Sequence, residues 1–285
     1  MSVVRLGAVG YLNARPLVHG LDARSDLFSL RFDVPSTCAA LLHAGDIDLG
    51  MIPSIEYQRG RQTYRIVPDL GIVSDGDVAS VALFTRVPIK NIRTIGLDTS
   101  SRTSSGLTRV LCREAWGIEP RFLPIPPESA ARVEGCDAAL LIGDPALFLD
   151  HAASGFARID LGAEWTRMTG LPFVWAVWVG RADALTPPHI MALQEARDAG
   201  VAGSDAIADA YGGIERAAVC RRYLRDNIQY RLGEREAAGL RRYYELAARH
   251  GIIEGVRTAD FYEAQVAGSQ VGRVSGSRVS GRPGL

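Results

Sequence analysis

Apolar runs of strand length recur through the first 180 residues, and most are followed by a turn and then a helical pattern. VVRLGAVG (3–10) reads as a buried strand, and a helix is predicted near YLNARPL, where Pro16 suits a first turn. LFSLRFDV (27–34) has partial period-two character. Pro35 and Ser36 stop it, Ser36 offers an N-cap for TCAALLHA, and Gly45 ends that helix. IDLGMIPS (47–54) is the next strand. Strand, helix and strand at this spacing predict βαβ units on a parallel sheet. Further strands are expected in VASVALFTRVPI (78–89), TIGLD (94–98), CDAALLIGDPALF (136–148) and FVWAVWVG (173–180). The third of these repeats DIDLGMIPS: an acid, an apolar strand, then a proline turn. Between them, Leu107, Val110, Leu111 and Ala115 mark one face of an amphipathic helix. From about residue 188 the pattern is helical: IMALQEARDAG, SDAIADAYG, IERAAVCRRYLRD, EREAAGLRRYYELAARHG and TADFYEAQVAG.

This order predicts an α/β protein of two lobes with a ligand cleft between them. The chain is expected to cross near residues 85–93 and to return near 171–175. Lobe one then holds 1–88 and 174–268, lobe two holds 89–173, and the Gly/Ser/Arg-rich stretch 269–285 is a flexible tail. In such folds ligands lie at the carboxyl ends of parallel strands.

Composition narrows the classes. Lys plus Arg and Asp plus Glu both number 32, so no excess charge points to nucleic acid or an anionic membrane. No apolar run approaches the roughly 20 residues that span a bilayer. A first strand beginning at Val3 leaves no room for a signal peptide, which predicts a cytoplasmic location and reduced cysteines. Cys38, Cys112, Cys136 and Cys220 form no CxxC or zinc spacing and read as packing residues. The oligomeric state is not fixed, and a homodimer is open.

Three loops at expected strand ends carry small polar residues. Asn13, in GYLNARPL, offers both a donor and an acceptor, or else caps the next helix. Ser54, in MIPSIEY, contacts a ligand or caps. DTSSRTSSG (98–106) brings six hydroxyls to a helix start, where capping needs one or two. Unpaired amides and the helix dipole there suit a carboxylate or phosphate. GxSxG, HExxH, GxGxxG and Walker A patterns are absent, and the five histidines are scattered. Asp46 and Asp48 read as a solvated strand end, and Phe173, Trp175 and Trp178 as core.

GAVGYLNARPL, VPSTCAALLHAGDIDLGMIPSIEY, SVALFT, SSRTSSGLTRVL and IGDPAL together resemble the chorismate dehydratases of the futalosine route to menaquinone. The resemblance covers most of residues 4–180. It implies a periplasmic-binding-protein-like type II fold, no cofactor or metal, and dehydration of chorismate to 3-[(1-carboxyvinyl)oxy]benzoate. By the same resemblance Asn13 orients the leaving hydroxyl, and Ser80, in SVALFT, lines the site. Arg15, Ser54, Ser101, Arg102, Thr103, Ser104 and Asp144 make up the expected substrate contacts. The general base is open between a side chain, Glu56 or Asp144, and the substrate's own enolpyruvyl carboxylate. A 1,4-dihydroxy-6-naphthoate synthase on the same fold and a non-catalytic small-anion binder are the alternatives.

Overall fold

The apolar runs become the centres of two five-stranded sheets. The computed structural model describes residues 3–126 and 135–263. The chain begins with β1 (Val4–Val9), a 3-10 helix (Leu12–Val18), β2 (Phe28–Asp33), α1 (Pro35–Ala44) and β3 (Leu49–Pro53). It continues through α2 (Glu56–Arg59), β4 (Tyr64–Ser74), β5 (Val81–Thr85), β6 (Thr94–Asp98) and α3 (Arg102–Glu114). β7 (Arg121–Ile125), β8 (Ala138–Ile142), α4 (Asp144–Phe148), β9 (Ala157–Asp160), α5 (Leu161–Thr169) and β10 (Phe173–Arg181) follow. The C-terminal helices are α6 (Pro187–Ala202), α7 (Ser204–Arg222), a π-helix (Tyr223–Asn227) and α8 (Glu234–Arg249). Among the described residues no helix is long and apolar enough to cross a membrane.

The first sheet has the order β2-β1-β3-β10-β4 and the second β7-β6-β8-β5-β9. β1 runs parallel to β2 and β3, and β10 runs antiparallel to β3 and β4. The second sheet repeats this: β6 is parallel to β7 and β8, and β5 is antiparallel to β8 and β9. The sequence repeat therefore marks equivalent strands, β3 and β8. Its acids have equivalent duties too. Asp48 accepts from the Arg5 amide at 2.9 Å, and Asp137 from the Thr94 amide at 2.8 Å, so each ties its strand to the parallel neighbour, β1 or β6. Asp48 is also held by the Arg5 and Arg181 guanidinium groups. It is a structural tie rather than the solvated strand end expected from alternation.

The first crossing lies at residues 75–80, ahead of the expected 85–93, so Val81–Thr85 belongs to the second sheet. All five of its residues are buried between layers. The polar Asp75-Gly76-Asp77 stretch is where the chain can turn through solvent. Residues 258–263 are not the expected helix. Phe261 bridges Ile66 beside β4, and the amide of Ile66 donates to the Asp260 carbonyl at 2.8 Å. Pairing with an open sheet edge outweighs a weak helical period there. The rest of that segment and the tail at 269–285 lie outside the described residues. Helices expected as separate, SDAIADAYG and IERAAVCRRYLRD, join as α7 across a kink at Gly213. The N-cap of α1 is Val34 rather than Ser36, because Pro35 takes the first helical position.

α8 shows how the halves are joined. Leu240, Tyr243, Tyr244 and Ala247 recur at helical spacing and are buried. Tyr243 meets Phe173 of β10 with ring centroids 4.9 Å apart and donates to the Thr103 carbonyl of α3 at 2.9 Å. Trp165 of α5 stands edge-on to the same Phe173 at 5.2 Å. This aromatic cluster packs α5, α8 and β10 against one another.

Candidate active site

Residues at or just past four strand ends line one cavity between the sheets. They are Tyr11 and Asn13 after β1, Pro53 in β3, Ser101, Thr103 and Ser104 after β6, and Gly143 after β8. Ser80 enters from the crossing and Trp175 from β10. Val9, Ile72, Val81 and Ile142 form apolar walls. The enclosed space is about 60 Å³, room for a few water molecules. An open groove of about 280 Å³ on the far side of α3, lined by Arg59, Arg102 and Arg109, shares Ser101 with it but none of the other residues at strand ends.

Five of the nine residues expected at the site meet here: Asn13, Ser80, Ser101, Thr103 and Ser104. Asn13 does not cap. It sits inside the 3-10 helix, whose N-cap is Tyr11, and its side chain stands near the Tyr223 hydroxyl. The four others turn elsewhere. Arg15 places its guanidinium over the rings of Phe32 and Tyr211, at 5.2 and 5.7 Å. Ser54 is fully buried behind Pro53, with its hydroxyl 3.4 Å from that of Thr103. Asp144 accepts from the Tyr211 hydroxyl at 2.7 Å. Arg102 reaches away to Glu56 at 2.6 Å. At about 100° per residue, Ser101, Thr103 and Ser104 fall within one arc of the helix and Arg102 falls on the opposite side.

Glu56 is almost completely buried and held by Arg102, by Arg59 at 2.9 Å and by the His43 ring at 3.5 Å. Burial alone would raise its pKa. His43 and the two guanidinium charges outweigh that and hold it at about 2. A carboxylate so stabilised is a poor base, and it does not line the cavity.

At the start of α3 several hydroxyls are taken up locally. Ser100 bonds the Asp98 carboxylate through both its amide and its hydroxyl, and Ser105 bonds the Asp98 carbonyl. Ser101 donates to Ser104 at 2.7 Å and makes no cap bond as the N-cap residue. The first-turn amides of Thr103 and Ser104 have no acceptor within the helix and lie at the cavity wall.

Three residues in or against the site were not singled out for it in the sequence, although Tyr11 lies within GYLNARPL. Tyr223 opens the π-helix, is fully buried, and sets its hydroxyl 2.6 Å from the Ser80 hydroxyl. Trp175, read as core, lines the cavity and donates its indole N–H to Ser74 at 3.0 Å. Tyr11 lines the cavity, and burial together with the Asp98 charge raises the pKa of its hydroxyl. Its ring lies against Gly143, where φ is +63° and an added Cβ would stand 3.3 Å from the ring. Glycine there meets both the left-handed backbone and the close approach.

Asp160 fixes the crossing that carries Ser80. Its carboxylate accepts from the amides of Val78 and Ala79, and from those of Gly162 and Ala163 as the N-cap of α5. Ala79 is held at φ +60°, in the left-handed region that few non-glycine residues adopt. Asp160→Ala leaves buried amides without acceptors. It is expected to lower stability by about 2–4 kcal/mol, read as a lower urea midpoint, together with loss of turnover as Ser80 loosens. A midpoint equal to that of the parent would show that the crossing is held by other contacts.

Among the described residues no three His, Cys, Asp or Glu side chains converge as metal ligands. A family model described as menaquinone biosynthesis matches residues 4–249. A chorismate dehydratase from Thermus thermophilus is 31% identical over 266 residues, covering 84% of this chain and 93% of that protein. The solved structure of protein AF1704 from Archaeoglobus fulgidus superposes with a TM-score of 0.72 at 19% identity, covering 88% of this chain and 98% of that one. The alkanesulfonate-binding protein SsuA from Xanthomonas axonopodis pv. citri, bound to MOPS, gives a TM-score of 0.65 at 16% identity, covering 89% and 94%. The fold is that of the two-lobed binding proteins.

Proposed function

The chain belongs to the menaquinone biosynthesis family, and from that premise we propose that its cleft dehydrates chorismate to 3-[(1-carboxyvinyl)oxy]benzoate. The observation that carries this reading is the composition of the cavity. Hydroxyls, an amide and a helix start face apolar walls, and among the described lining residues only Tyr11 has an ionisable side chain. That lining suits a substrate that brings its own charges.

Chorismate has a ring carboxylate, an enolpyruvyl carboxylate, a hydroxyl on ring carbon 4 and a hydrogen on carbon 3. Removing that hydrogen sends charge toward the ring carboxylate. Donors aimed there bind the transition state more tightly than the ground state. The amides of Thr103 and Ser104, with the Ser104 hydroxyl that Ser101 supports by donating to it, take this role. The ring lies against Ile72, Val81 and Trp175. Asn13 and Ser80 hold the hydroxyl on carbon 4.

The base is the enolpyruvyl carboxylate, tethered to carbon 3 through one ether oxygen, where proximity makes a weak base effective. The orientations of Glu56 and Asp144, both bonded elsewhere, support this. The carboxylate takes the carbon 3 proton, the carbon–oxygen bond at carbon 4 breaks, and the departing hydroxide recovers that proton as water. The ring becomes aromatic.

A ring with two carboxylate arms needs more than about 60 Å³, so the lobes part to admit it and close to exclude water. A lyase that consumes chorismate belongs in the cytoplasm, where chorismate is made. Incubating the purified protein with chorismate is expected to give a product lighter by one water and aromatic in its ultraviolet spectrum. Scattering without substrate is expected to show a more open form. Folded protein that binds chorismate and returns it unchanged is a binding protein instead.

A further inference from the structure

We propose that Tyr223 is a positioning residue for this dehydration: its hydroxyl holds the Ser80 hydroxyl in one orientation at the floor of the cleft. The inference rests on the reading of Ser80 given above and adds a residue to it. Tyr223 does not line the cavity, so it acts through Ser80. Its hydroxyl is 2.6 Å from that of Ser80, and the Asn13 side chain stands nearby. It is the first residue of the π-helix Tyr223–Asn227, which continues directly from α7. Such wide turns are frequent where a side chain must be aimed at a functional site.

Each hydroxyl carries one proton, so the pair shares a single hydrogen bond. When the phenol donates, the serine accepts, and the serine proton is left for the cleft. A donor then faces the departing hydroxyl. Complete burial keeps the phenol protonated. It therefore fixes directions and does not exchange a proton with the substrate.

Tyr223→Phe removes the hydroxyl and keeps the ring. The expected result is a fall in kcat of about tenfold or more with KM within about threefold, measured per folded molecule. In a Ser80→Ala background the same change is expected to add less than about threefold, because the partner it acts through is gone. An unchanged kcat, or losses that multiply fully, overturns the inference. If Y223F does not fold, Ser80→Thr and Ser80→Ala carry the test. Threonine keeps a hydroxyl for Tyr223 to hold and is expected to retain kcat within about tenfold where alanine loses it, and equal losses overturn the link. Parent protein that leaves chorismate unchanged overturns the site reading itself, a different outcome from an active parent with an equally active Y223F.

Discussion

Asn13→Ala lowers kcat for chorismate by about 10²–10³-fold, the scale on which removing one preorganised donor acts. Asn13 lies on the cavity wall after β1, inside a 3-10 helix that fixes its backbone. Its position is set before the substrate arrives, so little reorganisation is needed as the hydroxyl departs. Alanine removes the donor. The fold is expected to survive, because Asn13 caps no helix and the strand before it is fixed by Leu6 and Ala8 in the core. Asn13→Asp is expected to raise KM as well, since it sets a negative charge beside a dianion. Product formation followed by chromatography reads both. An alanine variant with kcat within about threefold of the parent and an unchanged melting temperature would remove Asn13 from the reacting centre.

Glu56→Gln is expected to separate stability from chemistry. The folded protein holds this carboxyl at about 2, against an ordinary value of 4.5. That difference is worth about 3 kcal/mol of folding stability. Because the folded value is the lower one, the contribution is fully present above about pH 4.5. It fades as the pH falls toward about 2, where the folded carboxyl also protonates. Glutamine fits the same space without the charge and leaves Arg59 and Arg102 without their counter-ion. The variant is expected to be less stable at pH 7, and the gap to the parent should close on acidification. Urea midpoints at several pH values read this directly. The expected kcat per folded molecule stays within about tenfold, because Glu56 faces Arg102 and not the cavity. Loss of all turnover with binding and stability intact would make Glu56 the base and end the substrate-assisted mechanism.

The first and second sheets show what was legible before any coordinates. Segment 47–54 and segment 136–148 share an acid, an apolar strand and a proline turn, and they occupy equivalent places in the two sheets. The crossing was misplaced because Val81–Thr85 and its flanks read as one apolar stretch. Only its pairing with β8 and β9 assigns it to the second sheet. The hydroxyl-rich stretch after β6 was legible as a helix start at a strand end, and three of its residues line the cavity. That Arg102 leaves it was not, since Glu56 comes from the other lobe.

By itself the sequence determined the alternation of strands and helices, the two-lobed class and the loops that face the cleft. Hydrophobic period, turn residues and capping chemistry act between near neighbours, so they are written contiguously in the chain. The tertiary structure alone decided which polar side chains share the cavity. Tyr223 meets Ser80 from 143 positions away. Arg15, Arg102 and Asp144 find partners on other elements that draw them out of the cavity. A side chain's direction is set by whichever charge, ring or hydroxyl packing brings within a few ångströms of it, and that neighbour lies far away in sequence.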